Sequence, residues 1–364
     1  MVTPKDPPRI LHLPADVGGN ALGLSRAERQ LGLRSDVAVL AAGPFGYEAD
    51  VRVDLDGKPL WQKLAARTTL LARALREYDI IHFNFGQSLI PIRVYGRVLN
   101  ELPLIKRAGK TILVTFQGCD VRPKECCFCN QEHCRLENRY RAPNAARFLR
   151  YADRCFHLNP DLARWLPGSR FVPYANVDPQ ELRPAGFPPL RDETVIAHAP
   201  TNRDVKGTRW VLEAVEQLRG EGLAVRLDLI EGVRHTEVLR RLRDADVVVD
   251  QLLIGWYGGF AVEAMALAKP VLCFIREETP ADNPFGAELP IVRTTPDTLV
   301  MRLRELAVDR EARAKIGAAS RAFVELDHDP RLVAREVLSG LVTLPDRDSA
   351  ARVDHRGTGA HLAD

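Results

Sequence analysis

The sequence predicts an α/β protein of two domains, each holding a doubly wound parallel sheet, that face each other across a cleft. Short apolar runs alternate with longer amphipathic stretches, as strands and helices do around a parallel sheet. A proline-rich stretch at residues 173–190 interrupts this alternation, which then begins again. The chain has 364 residues, more than one hydrophobic core usually serves.

The first domain is predicted at residues 1–172. Its predicted strands are residues 9–13, 36–40, 80–85, 111–116 and 155–158. Its predicted helices are residues 21–31, 60–77 and 142–152. Each predicted strand is a short and mostly apolar run.

After the linker at residues 173–190, the second domain is predicted at residues 191–325. Its predicted strands are residues 194–199, 224–231, 246–252 and 270–275, and its predicted helices are residues 208–219, 259–267 and 296–324. Proline is favoured at the first position of a helix, so the last of these is expected to open at Pro296. We expect residues 326–344 to form a C-terminal helix that can pack on the first domain, and the polar tail 345–364 to be disordered.

The charge balance excludes some functions. The formal net charge is only +3, which argues against a nucleic-acid partner. The N-terminus MVTPKDPPRI has no apolar signal segment, and no apolar run reaches the ~18 residues that span a bilayer. A cytoplasmic protein is expected, and contact with a membrane surface stays open.

The segment GWYGGFAVEAMALAKP, residues 255–270, follows an apolar strand and leads into a helix. A helix that begins near Gly259 presents free backbone N–H groups at Gly258, Gly259 and Phe260, which suit a diphosphate. Glu263, about one turn further on, can accept hydrogen bonds from two ribose hydroxyls. The alternative is an ordinary glycine turn without a ligand.

A second segment, HAPTNRDVKGT at residues 198–208, places two cations at the end of a predicted strand. Ligands of doubly wound sheets bind at such strand ends. Arg203 and Lys206 there could neutralise the charge of a departing diphosphate, or they could simply cap a solvated turn.

In their order and spacing, these segments resemble the retaining family 4 glycosyltransferases (glycosyl transferases group 1) of the GT-B fold, which has two Rossmann-like domains. VPYANVDPQELRP, residues 172–184, resembles the family's interdomain segment. The resemblance implies a nucleotide diphosphate sugar as donor, with Glu263 on its ribose and Arg203 and Lys206 on its diphosphate. It also implies that the loop at Gly18 and Gly19 touches donor phosphate or acceptor.

Two positions depart from the family pattern. Gly255 stands where the family has a first glutamate that contacts the transferred sugar. Gln117 and Gly118 stand where the family has His-Gly, and an amide cannot titrate as an acid or base. Asp120 matches a position that is commonly acidic in the family, and we expect it to orient the acceptor.

The expected reaction is a metal-independent sugar transfer with retention. Its catalytic residues would be Arg203, Lys206, Gln117 and Asp120. The acceptor would be a glycan, a lipid-linked sugar or a small molecule. A sugar-nucleotide epimerase or hydrolase of the same fold remains an alternative, as does a non-catalytic module that binds sugar nucleotides or metal. No Gly-x-Gly-x-x-Gly follows a predicted strand in the proper context, which argues against a nicotinamide-dependent dehydrogenase.

Five of the seven cysteines lie between Cys119 and Cys134, in a predicted insertion at about residues 117–140. Crowded thiols in a reducing compartment favour a metal, and the preferred structural zinc ligands are Cys119, Cys126, Cys129 and Cys134. Cys127, His133 and Cys155 are further candidate ligands. An iron–sulfur cluster could bind the same cysteines, and a loop of reduced thiols without a metal is the other alternative.

The predicted helix at residues 60–77 is basic and amphipathic. Its leucines are Leu60, Leu64, Leu71 and Leu75, and its cations are Lys63, Arg67, Arg73 and Arg76. Such a helix can lie on anionic lipid. A surface helix that buries its leucines against a sheet is the favoured interpretation.

Overall fold

The computed structural model describes residues 7–41, 43, 46–90, 92–94, 97–123, 138–184 and 191–344. Two parallel sheets, of seven and five strands, occupy successive parts of the chain and carry helices around them. The α/β prediction with two parallel sheets is confirmed. Among the described residues, no helix is both long enough and apolar enough to span a membrane.

The first half holds the seven-stranded sheet, with strand order β3-β2-β1-β4-β7-β8-β9. Its strands are β1 Arg9–Leu13, β2 Arg34–Val39, β3 Val51–Arg52, β4 Ile80–Asn84, β7 Thr111–Phe116, β8 Arg154–His157 and β9 Arg170–Phe171. A small hairpin of β5 Ile92–Val94 and β6 Arg97–Leu99 lies apart from it. The helices are α1 Asn20–Gln30, α2 Leu60–Glu77, α3 Leu102–Arg107 and α4 Asn138–Tyr151.

The second half holds the five-stranded sheet, with strand order β11-β10-β12-β13-β14. Its strands are β10 Thr194–His198, β11 Val225–Leu229, β12 Val247–Val249, β13 Val271–Cys273 and β14 Val292–Arg293. Its helices are α5 Arg203–Lys206, α6 Thr208–Gly220, α7 His235–Asp244, α8 Gly259–Ala266, α9 Leu299–Val308, α10 Arg310–Asp327 and α11 Pro330–Leu338.

The cores follow from the apolar strands. All three residues of β12 are at most 1% exposed because helices cover both faces of the sheet. The final helix α11 belongs to the core of the first half, where its Val337 and Leu338 pack with Leu24 and Ala27 of α1. The chain therefore returns to the first half after building the second.

Two expectations about helices were wrong. The predicted helix at residues 296–324 is two helices, α9 and α10, because Asp309 leaves the helical conformation and its carboxylate accepts the N–H of Ala312 as an N-cap. The first of them begins at Leu299 rather than at Pro296. The helix α7 was not predicted.

Candidate functional site

The topology of each sheet marks one edge as the place for a ligand. In a doubly wound sheet, ligands bind beyond the carboxyl ends of the strands, at the point where the strand order reverses. That point lies between β1 and β4 in the first sheet and between β10 and β12 in the second. The loops that follow β10 and β12 carry Lys206 and the glycine turn at residues 255–259.

Lys206 ends the short helix α5, which Asn202 caps. Its Nζ lies 2.9 Å from Oδ1 of Asp250 and 2.7 Å from Oε1 of Gln251, both of which directly follow β12. A Cβ atom on Gly258 would lie 3.5 Å from this Nζ. The structure therefore holds the lysine charge beside the turn that opens α8.

The start of α8 has the form of an anion site. Gly258 is extended, with φ −110°, and its N–H donates to Oδ2 of Asp250 at 2.7 Å. The N–H groups of Gly259 and Phe260, the first two residues of the helix, have no hydrogen-bond partner within the described part of the chain. Free N–H groups at the positive end of a helix attract phosphate oxygens.

Glu263 lies on the next turn of α8 and is 4% exposed. Its Oε1 is 2.8 Å from Nε2 of His235, at the start of α7, and 3.4 Å from Nδ2 of Asn176. Burial lowers the pKa of His235, but the hydrogen bond and charge of Glu263 raise it more, so the pKa of this imidazole lies above its usual value. Glu263 is thus oriented by a neighbouring titratable group.

A cavity of about 470 Å³ connects Glu263 with the first half of the molecule. Glu263 and His235 line it from the second half, and Gly19 and Tyr47 line it from the first. The rings of Tyr47 and His235 lie 4.8 Å apart between their centroids. The cavity is large enough for a nucleoside and has an acidic side chain at its edge.

The predicted glycine loop lies at this cavity. Gly18 and Gly19 have φ of 67° and 75°, in the left-handed region that favours glycine. A Cβ on Gly19 would meet the Tyr47 ring at 3.0 Å, so the loop and this ring are in close contact. Asp16, in the same loop, accepts the N–H of Ala21, and its burial raises the pKa of this carboxyl to about 6.

Arg203 is placed differently from Lys206. Its guanidinium pairs with Glu231, at 2.8 Å from Nε to Oε1, and its side chain is 56% exposed. Glu231 lies beyond the carboxyl end of β11, the edge strand of the second sheet. The two predicted cations are therefore paired with different carboxylates, Arg203 with Glu231 and Lys206 with Asp250.

Gln117 and Asp120 follow β7 at the carboxyl edge of the first sheet. Asp120 is buried and accepts the N–H groups of Gln117, at 3.0 Å, and of Gly118, at 2.7 Å. Burial raises the pKa of Asp120 to about 6, although these N–H groups oppose the shift. Asp120 therefore shapes the loop around Gln117, whose Nε2 is buried without a partner among the described residues.

Buried ion pairs join this loop to the second half. Arg122 binds Asp161 through two nitrogens, at 2.6 and 2.8 Å, and Arg276 reaches the same carboxylate at 3.4 Å. Arg276 also packs on Gly255, where an added Cβ would lie 3.1 Å from the arginine Cβ. Gly255 has φ 88°, so the position where the family has a glutamate is here a left-handed turn under an arginine.

The cysteine cluster lies mostly outside the described residues. Cys126, Cys127, Cys129, Cys134 and His133 belong to the segment that the structure does not describe, and Cys119 is half-buried. Within the described ranges, no group of three or more metal-ligating side chains comes together. Zinc and an iron–sulfur cluster stay predictions.

Sequence reasoning missed Asp250, His235, Asn176 and Tyr47. Asp250 had a readable signal, because a carboxylate directly after an apolar strand stands at the edge where ligands bind. Asn176 lies in the interdomain segment that the resemblance identified, but the resemblance did not point to Asn176 itself. His235 and Tyr47 carry no local signal, since only the folded chain brings them to Glu263.

No protein-family model matches the chain, and no curated protein matches it in sequence. Solved structures do match in fold. HepE from Anabaena, in complex with UDP-glucose, is 15% identical, with a TM-score of 0.63 over 91% of this chain and 98% of HepE. The match covers nearly the whole of both chains, so it includes both parallel-sheet domains. This coverage decides the architecture. The fold is GT-B.

Two further GT-B neighbours are similar to the chain at the same level. Sucrose-phosphate synthase from Thermosynechococcus elongatus is 14% identical, with a TM-score of 0.60 over 90% of this chain and 97% of that one. MnaA from S. aureus, solved with UDP, is 15% identical, with a TM-score of 0.56 over 92% and 96%. The predicted two-domain GT-B architecture is confirmed, and at this identity the likeness establishes the fold alone.

Proposed function

We propose that this protein is a glycosyltransferase that moves a sugar from a nucleotide diphosphate donor to an acceptor hydroxyl with retention. One observation carries the proposal. Lys206 is held beside the open N-terminus of α8, while Glu263, on the next turn of that helix, lines a nucleoside-sized cavity. The order of these groups along α8 matches the order of diphosphate and ribose in a sugar nucleotide.

The donor would bind from its phosphates outward. Lys206 and the N–H groups of Gly259 and Phe260 would hold the diphosphate and stabilise its charge as it leaves. Glu263 would accept hydrogen bonds from the ribose hydroxyls, and the base would enter the cavity that Tyr47 and His235 line. These cationic and N–H groups supply the positive charge, so the proposed transfer needs no metal.

Arg203 would assist only after leaving Glu231, because that ion pair occupies its guanidinium. Lys206 is also paired, with Asp250, but its Nζ lies beside the start of α8, so we assign the main phosphate contact to Lys206. Gly18 and Gly19 would bring the backbone of the first half against the donor. Two of the neighbours with this fold were solved with UDP or UDP-glucose, which supports a uridine nucleotide as the first donor to test.

The acceptor would bind beside Gln117 and Asp120. Gln117 would donate its buried amide N–H to an acceptor oxygen, while Asp120 keeps the loop in place. The acceptor hydroxyl would pass its proton to the departing phosphate oxygen, so no histidine is needed at Gln117. Sugar identity would depend on the turn at Gly255 and its neighbour Arg276, where the family glutamate is replaced.

The test is nucleotide binding by calorimetry. UDP, GDP and ADP would be titrated into the wild-type protein, Lys206→Ala and Glu263→Ala, with Arg209→Ala on the exposed face of α6 as the control. We expect each site variant to bind the preferred nucleotide at least about tenfold more weakly, since each loses a charge-assisted contact. Unchanged affinity in both variants would remove the proposal, and turnover of the donor without any acceptor would indicate an epimerase or hydrolase instead.

A further inference from the structure

The first turns of α2 carry an apolar surface that the proposed sugar transfer does not use. The second half of the helix is anchored in the core by three residues: Leu70, Leu71 and Ala74. The first half projects from the core. There Leu60 is 83% exposed, Trp61 69% and Leu64 39%. We call these three residues the α2 patch.

This arrangement corrects the favoured interpretation from the sequence. That interpretation has all four leucines packed against the sheet. It holds for Leu71 and for the partly buried Leu75, but Leu60 and Leu64 lie in water. Exposed clusters of large apolar groups usually mark a contact surface.

The outward face of α2 continues from the patch without a charge. Trp61, Leu64, Ala65, Thr68 and Ala72 recur at helical spacing along it, and all five are exposed. The helix as a whole carries four cations and one acid. The cations are Lys63, Arg67, Arg73 and Arg76.

The one acid, Glu77, is already paired with two of these cations at the far end of the helix. Near the patch, the cations that a partner would meet are Lys58, which is exposed, and Lys63, which is half-buried, as is Arg67 one turn further on. Asp54 and Asp56 precede them in the loop before α2. A neutral apolar face bordered by cations is typical of helices that lie in the interface of a bilayer.

The fold also places the patch at a useful edge. A helix that connects two parallel strands runs antiparallel to them, so α2 begins at the carboxyl edge of the first sheet. Arg67 confirms this placement, because its Nη1 donates to the carbonyl oxygen of Leu89, in the loop that follows β4. The Gly18–Gly19 loop and the Gln117 loop follow strands at this same edge.

We propose that the α2 patch docks on an anionic lipid bilayer. The two aliphatic side chains would enter the boundary between headgroups and acyl chains, and the Trp61 indole would lie at headgroup level. Lys58 and Lys63 would contact the lipid phosphates. Docking would hold the acceptor-side edge of the first sheet near the membrane surface.

The test is sedimentation of the whole protein with vesicles of phosphatidylcholine alone or mixed with phosphatidylglycerol. The wild-type protein should bind the mixed vesicles and release them at high salt. The triple variant Leu60→Ser, Trp61→Ser, Leu64→Ser should bind about tenfold more weakly, and Lys58→Gln with Lys63→Gln several-fold more weakly. Val308→Ser with Leu326→Ser is the matched control, since both residues are exposed apolar groups elsewhere.

Equal sedimentation of the triple variant and the wild type, or none with either vesicle, would overturn the proposal. A different result would also overturn it: the wild type does not bind vesicles but is a dimer in analytical ultracentrifugation, and the triple variant is a monomer. The patch would then join two copies of the chain. The changed residues are exposed except for Lys63, which is half-buried, and an unchanged melting temperature would show that each variant is folded. None of these readouts depends on sugar transfer.

Discussion

The acids near the proposed donor and acceptor sites, one in each half of the molecule, are held in two different ways. In the second half, Asp250 is paired with Lys206 and Glu263 with His235. In the first half, Asp16 and Asp120 accept backbone N–H groups, and burial raises the pKa of each to about 6. These raised pKa values mean that Asp16 and Asp120 can change protonation near neutral pH.

This difference fits the two tasks of the proposed reaction. A diphosphate needs cationic and N–H donors, and the contacts with Asp250 and Gln251 set the position of the Lys206 ammonium before any ligand binds. An acceptor needs a shaped and polar loop, and Asp120 supplies shape through two backbone hydrogen bonds. Under the proposed function, the loops that carry Asp250 and Glu263 form the donor side, and four predictions can break or sharpen this comparison.

The largest expected effect comes from breaking the buried pair in the second half. Asp250→Ala leaves the charge of Lys206 without its carboxylate and the N–H of Gly258 without an acceptor. We expect a loss of about 3 kcal/mol in the free energy of unfolding, because one partner of a largely buried pair is stranded. Urea denaturation monitored by circular dichroism measures it.

The matched control is Glu221→Ala, which removes an exposed pair with Arg304. It should cost much less than Asp250→Ala, because solvent screens an exposed ion pair. A similar small loss for Asp250→Ala would mean that the pair does not hold the donor side together.

The proximity of Lys206, Gly259 and Glu263 could be predicted from the sequence for a physical reason. Lys206, Gly259 and Glu263 lie on two short strand–loop–helix units, whose spacing along the chain fixes their spacing in space. His235 and Tyr47 come to Glu263 from separate loops, so no local pattern could reveal them. Asp120 was identified by its position, but its hydrogen bonds to Gln117 and Gly118 required the folded loop. The sequence shows Gly255 in place of the family glutamate, but only the structure shows that Arg276 packs on it.

In the first half, the charge of Asp120 should make stability depend on pH. Its pKa is raised to about 6 from 3.8, so the stability it contributes is fully present below pH 3.8 and is lost as the pH rises through 6. The advantage of the wild type over Asp120→Asn should shrink by roughly 2 to 3 kcal/mol between those pH values. Unfolding midpoints in urea from pH 4 to 7 measure it.

Asp16→Asn is the companion variant, since burial raises the pKa of Asp16 in the same direction and to a similar value. It should follow the same trend with pH. If the difference between the wild type and Asp120→Asn stayed constant across this range, the raised pKa of Asp120 would be wrong.

A smaller effect is expected where the two halves meet. Gly255→Glu restores the residue of the resembled family, but φ 88° strains any side chain there and Arg276 lies within contact distance. We expect a loss of about 1 to 2 kcal/mol in stability and no gain in donor affinity. Thermal unfolding and calorimetric titration measure these two effects. Gly255→Ala, measured in the same way, separates the effect of backbone strain from the effect of the carboxylate. A tighter donor complex of Gly255→Glu would show that the glutamate can still reach the sugar.

The smallest expected effect concerns the paired acid Glu263. The pKa of His235 is raised, so the imidazolium and its stabilising pair with Glu263 are fully present below pH 6.5 and are lost as the pH rises through the folded-state pKa. Deprotonation leaves the negative charge of Glu263 uncompensated beside a bound diphosphate. Nucleotide affinity should therefore fall about threefold between pH 6 and pH 8, as measured by calorimetry in matched buffers.

The nucleotide phosphates also titrate in this range, so the wild-type curve alone cannot assign the change to the protein. His235→Gln resolves this, because its amide can still donate to Glu263 but carries no proton to lose. Its affinity should follow only the titration of the ligand, and the difference between the two curves is the contribution of His235. Parallel curves would mean that protonation of His235 does not affect nucleotide affinity. Of the two pairs in the second half, only Lys206 with Asp250 would then contribute to the proposed donor site.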